Sequence, residues 1–164
     1  MTLKKNVPTK IIVHHTADTL GGPQFEKVNA YHRTLNFPVS SLGYFTGYHY
    51  LIERDGTVKR ARLDSDEGAH TIGQNTESIG IGLAGHFDYQ QPTAEQKRSL
   101  GQLCYELSQK YTIPLERIAG HRTYRSTTCP GANLSDDTAR YAILSHQLSL
   151  IEKILLWILK KLGL

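Results

Sequence analysis

Four residues of this 164-residue chain have the types and positions to hold a metal ion. His14 and His15 end the β-branched run Lys10-Ile11-Ile12-Val13, His121 ends Arg117-Ile118-Ala119-Gly120, and Cys129 follows His121 by eight residues in a Thr-Cys-Pro-Gly turn. Two imidazoles and one thiolate from separate strand ends fill three of the four positions of tetrahedral zinc and leave the fourth for water, the pattern of a catalytic rather than a structural site. Side chains alternate across a strand, so only one of His14 and His15 can point into such a site. Spacing alone does not choose between them, and strand-end histidines and a loop cysteine that merely satisfy hydrogen bonds have the same spacing.

The elements that must position these residues are legible in the hydrophobic pattern. The run at 10–15 predicts a strand buried on both faces. Gly22-Pro23 opens a helix to about residue 36, and residues 48–54 and 57–62 flank Asp55-Gly56, a strong hairpin signal. Ser78-Ile79-Gly80-Ile81-Gly82-Leu83-Ala84 predicts a central strand whose glycines admit something close to the backbone. Thr93-Ala94-Glu95-Gln96 caps a helix carrying Leu100, Leu103, Cys104, Leu107 and Tyr111 at helical spacing, which places Cys104 in the core. Residues 117–121 give one more strand, and a last helix starts near Ser135. Strands alternating with helices predict an α/β fold: a single domain with a central mixed sheet flanked by helices, plus a C-terminal amphipathic helix.

Composition sets the bounds. A chain of this length holds one domain, and 39% hydrophobic with 21% charged residues excludes a disordered or repeat-array chain. Residues 1–139 carry 15 Lys/Arg against 14 Asp/Glu, a net +1, whereas residues 140–164 carry 4 against 1, a net +3. The basic excess therefore sits in the tail, and no nucleic-acid partner is expected of the main body. Two cysteines make no disulfide framework, and the N-terminal Met-Thr-Leu-Lys-Lys lacks the apolar core of a signal peptide, so production in a cytoplasm is expected.

The ordered set Ile11-Ile12-Val13-His14-His15-Thr16-Ala17, Gly47-Tyr48-His49-Tyr50-Leu51-Ile52, Asp55-Gly56-Thr57-Val58, Gly68-Ala69-His70, Ser78-Ile79-Gly80-Ile81, Ala119-Gly120-His121-Arg122 and Thr127-Thr128-Cys129-Pro130-Gly131 resembles the zinc-dependent N-acetylmuramoyl-L-alanine amidases. That family includes phage endolysins and animal peptidoglycan recognition proteins. The likeness spans roughly residues 8–134 and implies that His14, His121 and Cys129 bind Zn2+ while Tyr48 and Thr127 assist catalysis. The implied reaction hydrolyses the amide between the lactyl group of N-acetylmuramic acid and L-alanine of the stem peptide. Threonine at 127 resembles the recognition-protein branch, where some phage members carry lysine. Other branches place a glutamate after Gly-Ile in the central strand; here Gly82 stands in that position and no carboxylate base is visible. His70, in Gly-Ala-His-Thr, is expected to contact substrate, and His49, alternating away from Tyr48, to be structural.

The resemblance ends before the tail, which divides the chain into a catalytic domain at 1–134 and a helix at 135–164. Leu144, Leu148, Ile151, Ile154, Leu155, Ile158, Leu159 and Leu162 recur at three and four and define one apolar helix face, with Trp157 at its border. Three roles fit it: docking on its own domain, lying on anionic membrane or outer-membrane lipid through residues 140–164, or joining two copies. Glu152, Lys153, Lys160 and Lys161 interrupt the run and argue against a transmembrane span. The function expected is that of a phage or prophage endolysin acting on bacterial peptidoglycan, held in the host cytoplasm until lysis. The alternatives are a non-cleaving peptidoglycan-binding module and a membrane-active protein driven by its tail.

Overall fold

In the computed structural model, which describes residues 3–162, five strands form one mixed sheet. They are β1 (Lys10–His15), β2 (Tyr50–Ile52), β3 (Val58–Arg60), β4 (Ser78–Leu83) and β5 (Ile118–Gly120), in the order β3-β2-β4-β1-β5. β1 pairs in parallel with β4 and β5, β2 pairs in parallel with β4, and β3 lies antiparallel to β2 at the edge. The β2–β3 hairpin turns at Asp55-Gly56, where Gly56 takes a φ of +85° and the Asp55 carboxylate accepts the Thr57 N–H at 2.8 Å. Its ladder is shorter than the sequence predicts. Both Ala61 and Arg62 donate to the His49 carbonyl, at 2.8 and 3.3 Å, and two residues opposing one ends the regular pairing.

Strand alternation sorts the side chains into two compartments. Ile11, Val13, Ile52, Ile79, Ile81, Leu83 and Ile118 face helices α2 (Ala94–Tyr111) and α3 (Asp136–Leu162), which complete the main core with Leu100, Leu103, Cys104, Leu107, Ala139 and Ile143. On the opposite face Leu51 packs with Phe25 and Val28 of α1 (Phe25–Thr34) and with Ala61. Cys104 is a core residue, its thiol pushed up to about 12 by burial. Thr93 and Gln96 form the capping box that starts α2, and the Ser135 hydroxyl accepts the Thr138 N–H at 3.1 Å to start α3.

Two buried charges brace the loops above the second face. α1 has no capping side chain of its own; the Glu53 carboxylate at the exit of β2 accepts the N–H groups of Gln24 and Phe25, each at 2.8 Å, and so places negative charge on the helix N-terminus. Arg62, wholly buried, donates to the carbonyls of Thr46, Glu67 and Pro38 and ties together the segments leading to Tyr48 and His70. The first turns of α3 belong to the core through Ala139, Ala142 and Ile143, whereas every residue from 151 to 162 is exposed.

Candidate active site

His14, next to last in β1, points to the α1 face, where His121 beyond β5 and Cys129 on the following loop meet it. The ligand atoms of the three lie within 4.8 Å of one another, and Cys129 Sγ is 3.7 Å from His14 Nδ1. Tetrahedral zinc, with bonds of about 2.0 Å to nitrogen and about 2.3 Å to sulfur, spaces such a pair about 3.6 Å apart. The donor set fits the metal. Burial, and then the neighbouring His121, lower the His14 imidazole well below its usual range and keep it neutral. Burial pushes the Cys129 thiol up to about 11, so the thiolate needs a cation beside it. His15 points to the other face, where its Nδ1 accepts the Phe87 N–H at 3.2 Å and its ring lies against His86.

The second nitrogen of His14 is also engaged. Nε2 lies 3.1 Å from His70 Nδ1 and 3.4 Å from Thr71 Oγ1, two partners able to accept its proton in the tautomer that leaves the Nδ1 lone pair for a metal beside Cys129. His70 thus touches a candidate ligand as well as lining a groove of about 410 Å³ with Phe37, Ile72, Asn75, Arg125 and Thr127, next to His121. A larger hollow, about 660 Å³, lies between α2 and α3 away from these residues. The strand glycines explain how the rings fit: a Cβ on Gly80 would come within 2.5 Å of the His70 ring, and one on Gly82 within 2.6 Å of the Tyr48 ring. A side chain at Gly82, a glutamate included, would therefore have to displace the Tyr48 ring.

The Tyr48 ring stands 5.2 Å from that of His14, centre to centre, and its hydroxyl donates only a long 3.4 Å bond to the His15 carbonyl. Burial, and then Cys129, hold the phenol well above its usual range. Thr127 is exposed; its Oγ1 accepts the Cys129 N–H at 3.2 Å, which leaves the hydroxyl proton free. His49 is buried, accepting the Gly80 N–H and donating to the Asp66 carbonyl, both at 3.0 Å. Asp88, which carried no motif, clamps the cysteine loop: its carboxylate accepts the Thr128 hydroxyl at 3.0 Å and the Ala132 N–H at 2.9 Å, on either side of Cys129. His15, His86 and Asp88 form a second cluster of metal-ligand types. With both Asp88 oxygens and His15 Nδ1 already bonded, that cluster works as a brace.

A mixed α/β sheet with two imidazoles and a thiol converging at its strand ends beside an open groove defines a hydrolase scaffold. Residues 4–132 match the family described as N-acetylmuramoyl-L-alanine amidase. Over 131 residues the chain is 32% identical to peptidoglycan-recognition protein SC2 of Drosophila melanogaster, covering 75% of this chain and 68% of that protein. Over 93 residues it is 36% identical to the endolysin of Escherichia phage T7, covering 54% of this chain and 60% of that one. The solved structure of the endolysin N-acetylmuramoyl-L-alanine amidase LysCS from Clostridium intestinale shares the fold at a TM-score of 0.75 and 30% identity, over 87% of this chain and 88% of that one. The chain belongs to the N-acetylmuramoyl-L-alanine amidase family and is an enzyme of that kind.

Proposed function

We propose that this amidase is a zinc-dependent endolysin of phage or prophage origin, made in the host cytoplasm and acting on the cell wall at lysis. Its substrate is the amide joining the lactyl group of N-acetylmuramic acid to L-alanine in peptidoglycan, cleaved by the domain at 1–134. The convergence of His14, His121 and Cys129 beside the groove carries this reading. Zinc held by the three would supply Lewis acidity, able to activate water near neutral pH and to polarise the scissile carbonyl. His14 and His121 offer neutral nitrogens, and His70 stands where it can hold the His14 proton on Nε2 and leave Nδ1 for the metal. Tyr48 and Thr127 each present a hydroxyl proton to the oxyanion that develops on the carbonyl oxygen. The groove past His70 receives the stem peptide.

A peptidoglycan-binding module without hydrolysis is the second reading, favoured by the likeness to a recognition protein. Cys129 favours hydrolysis over that reading, since the resemblance implies that non-cleaving members of the family lack this ligand. Mass spectrometry of peptidoglycan digested with the purified protein tests the proposal. Free stem peptides beginning with L-alanine beside intact glycan are expected. Glycan fragments, opened cross-links or an undigested sacculus would overturn it.

A further inference from the structure

The end of α3 is the largest feature that the amidase reading leaves unused. Its polar side faces the body: Ser145, His146, Ser149 and Lys153 line the hollow shared with Lys97, Arg98 and Gln102 of α2, and the His146 ring lies against Tyr105. Its apolar side faces away, with Leu148 61%, Ile151 53% and Leu155 54% exposed. At 3.6 residues per turn, Ile154, Ile158, Ile151, Leu144, Leu155, Leu148 and Leu159 cover roughly 140° of the outward surface, with Gln147 the one polar residue among them. This arrangement inverts the usual surface helix, which turns its apolar stripe inward.

We propose that α3 is an interfacial anchor that lays this outward stripe into anionic lipid. Three observations select that occupant. Arg140, Lys153, Lys160 and Lys161 stand against the single acid Glu152 in residues 140–164, a charge that matches an anionic surface. Trp157 sits at one border of the stripe with the Lys161 ammonium 5.8 Å from its ring centre, an arrangement suited to the headgroup level. The stripe is also far wider than the narrow seam two helices need to pair. α3 is long and apolar enough to cross a bilayer, but a crossing would drag Glu152 and Lys153 into hydrocarbon, whereas an in-plane helix keeps Lys153 on its polar side. The inference does not depend on what the active site cleaves.

Trp157 is the sole tryptophan of the chain, so its emission reports on this helix alone. The full-length protein is titrated with vesicles of phosphatidylethanolamine containing one quarter phosphatidylglycerol, and in parallel with pure phosphatidylcholine. A blue shift and co-sedimentation are expected with the anionic vesicles, weakening steeply as salt rises. Lys160→Gln with Lys161→Gln should weaken binding about thirtyfold at low salt, at about fivefold for each lysine near the surface. Leu155→Asp with Ile158→Asp should weaken it about a hundredfold or more at any salt. Both variants alter exposed residues and should hydrolyse isolated peptidoglycan as the parent does. Absence of a shift on anionic vesicles, or equal binding to both lipids, overturns the proposal. A dimer in sedimentation that Leu155→Asp with Ile158→Asp dissociates, without lipid binding by the parent, would make a second copy the occupant instead.

Discussion

Replacing Gly82 with alanine separates the placement of Tyr48 from its chemistry. The added Cβ would lie 2.6 and 2.8 Å from two carbons of the Tyr48 ring, where carbon atoms rest no closer than about 3.5 Å. The ring must therefore move by about 0.9 Å or more, and the hydroxyl, further out on the lever, by at least as much. A displacement of about 1 Å in a reacting group costs on the order of a hundredfold in rate. Gly82→Ala should then lower turnover on isolated peptidoglycan by about a hundredfold, with zinc content unchanged and a stability loss of about 1–3 kcal/mol from overpacking. Tyr48→Phe, which removes the hydroxyl without moving the ring, should cost a similar factor. The double variant should be little worse than either single one, because both act through one group. Gly80→Ala is the contrasting perturbation. It forces the His70 ring to shift and so disturbs its contact with His14; it should therefore weaken zinc binding about ten- to a hundredfold rather than slow the loaded enzyme. Undiminished turnover in Gly82→Ala, or loss of zinc in that variant but not in Gly80→Ala, would refute this reasoning.

Cys129→Ala should abolish zinc binding, measured by metal analysis after dialysis, whereas His15→Gln should retain zinc and instead lower the melting temperature, since His15 bonds Phe87 on the far face. Asp88→Ala releases the Cys129 loop at both Thr128 and Ala132; zinc should dissociate about tenfold more readily in a chelator competition, with Asp88→Asn keeping part of the effect. Burial alone would raise the Asp64 carboxyl, but bonds from Lys110, Tyr50 and Tyr111 outweigh it and hold the group at about 2, below its ordinary 3.8. A depressed carboxylate stabilises the fold above its unfolded value and loses that contribution as pH falls from about 4 to about 2. Asp64→Asn should therefore cost about 1–2 kcal/mol at neutral pH, reduced by the exposure of Lys110, and flatten the acid limb of a thermal-melt titration.

What could be read in advance was whatever the chain encodes locally. The buried β-branched run at 10–15, the Asp55-Gly56 turn, the Thr93 cap and the helical spacing through Leu107 each carry their own signal, and each stands at its expected place. The strand glycines announced a close approach without naming what approached. The braces were silent because their partners are remote in sequence: Glu53 serves Gln24, Arg62 serves Pro38 and Thr46, and Asp88 serves Thr128 and Ala132. A lone carboxylate in a loop has no periodicity and no motif. His70 was recognised by its setting, but its bond to His14 exists only because the loop folds back over Gly80. For the tail, periodicity identified an apolar stripe yet could not say which way it would turn, since that depends on how Ala139, Ala142 and Ile143 seat the first turns of the helix.

The alternation of β1 makes the sheet a partition. Ile12 and His14 serve the side where the reactive groups gather, while Ile11, Val13 and His15 serve the side built by α2 and α3. Neighbouring residues in one strand thus answer to separate demands, one for chemistry and one for cohesion. Whatever meets the outer surface of α3 does so behind that wall, and a polymer as bulky as a cell wall can fill the groove beside His121 without competing for the same space. A substitution on the outer face of α3 can therefore change what that face meets while leaving the groove beside His121 in place.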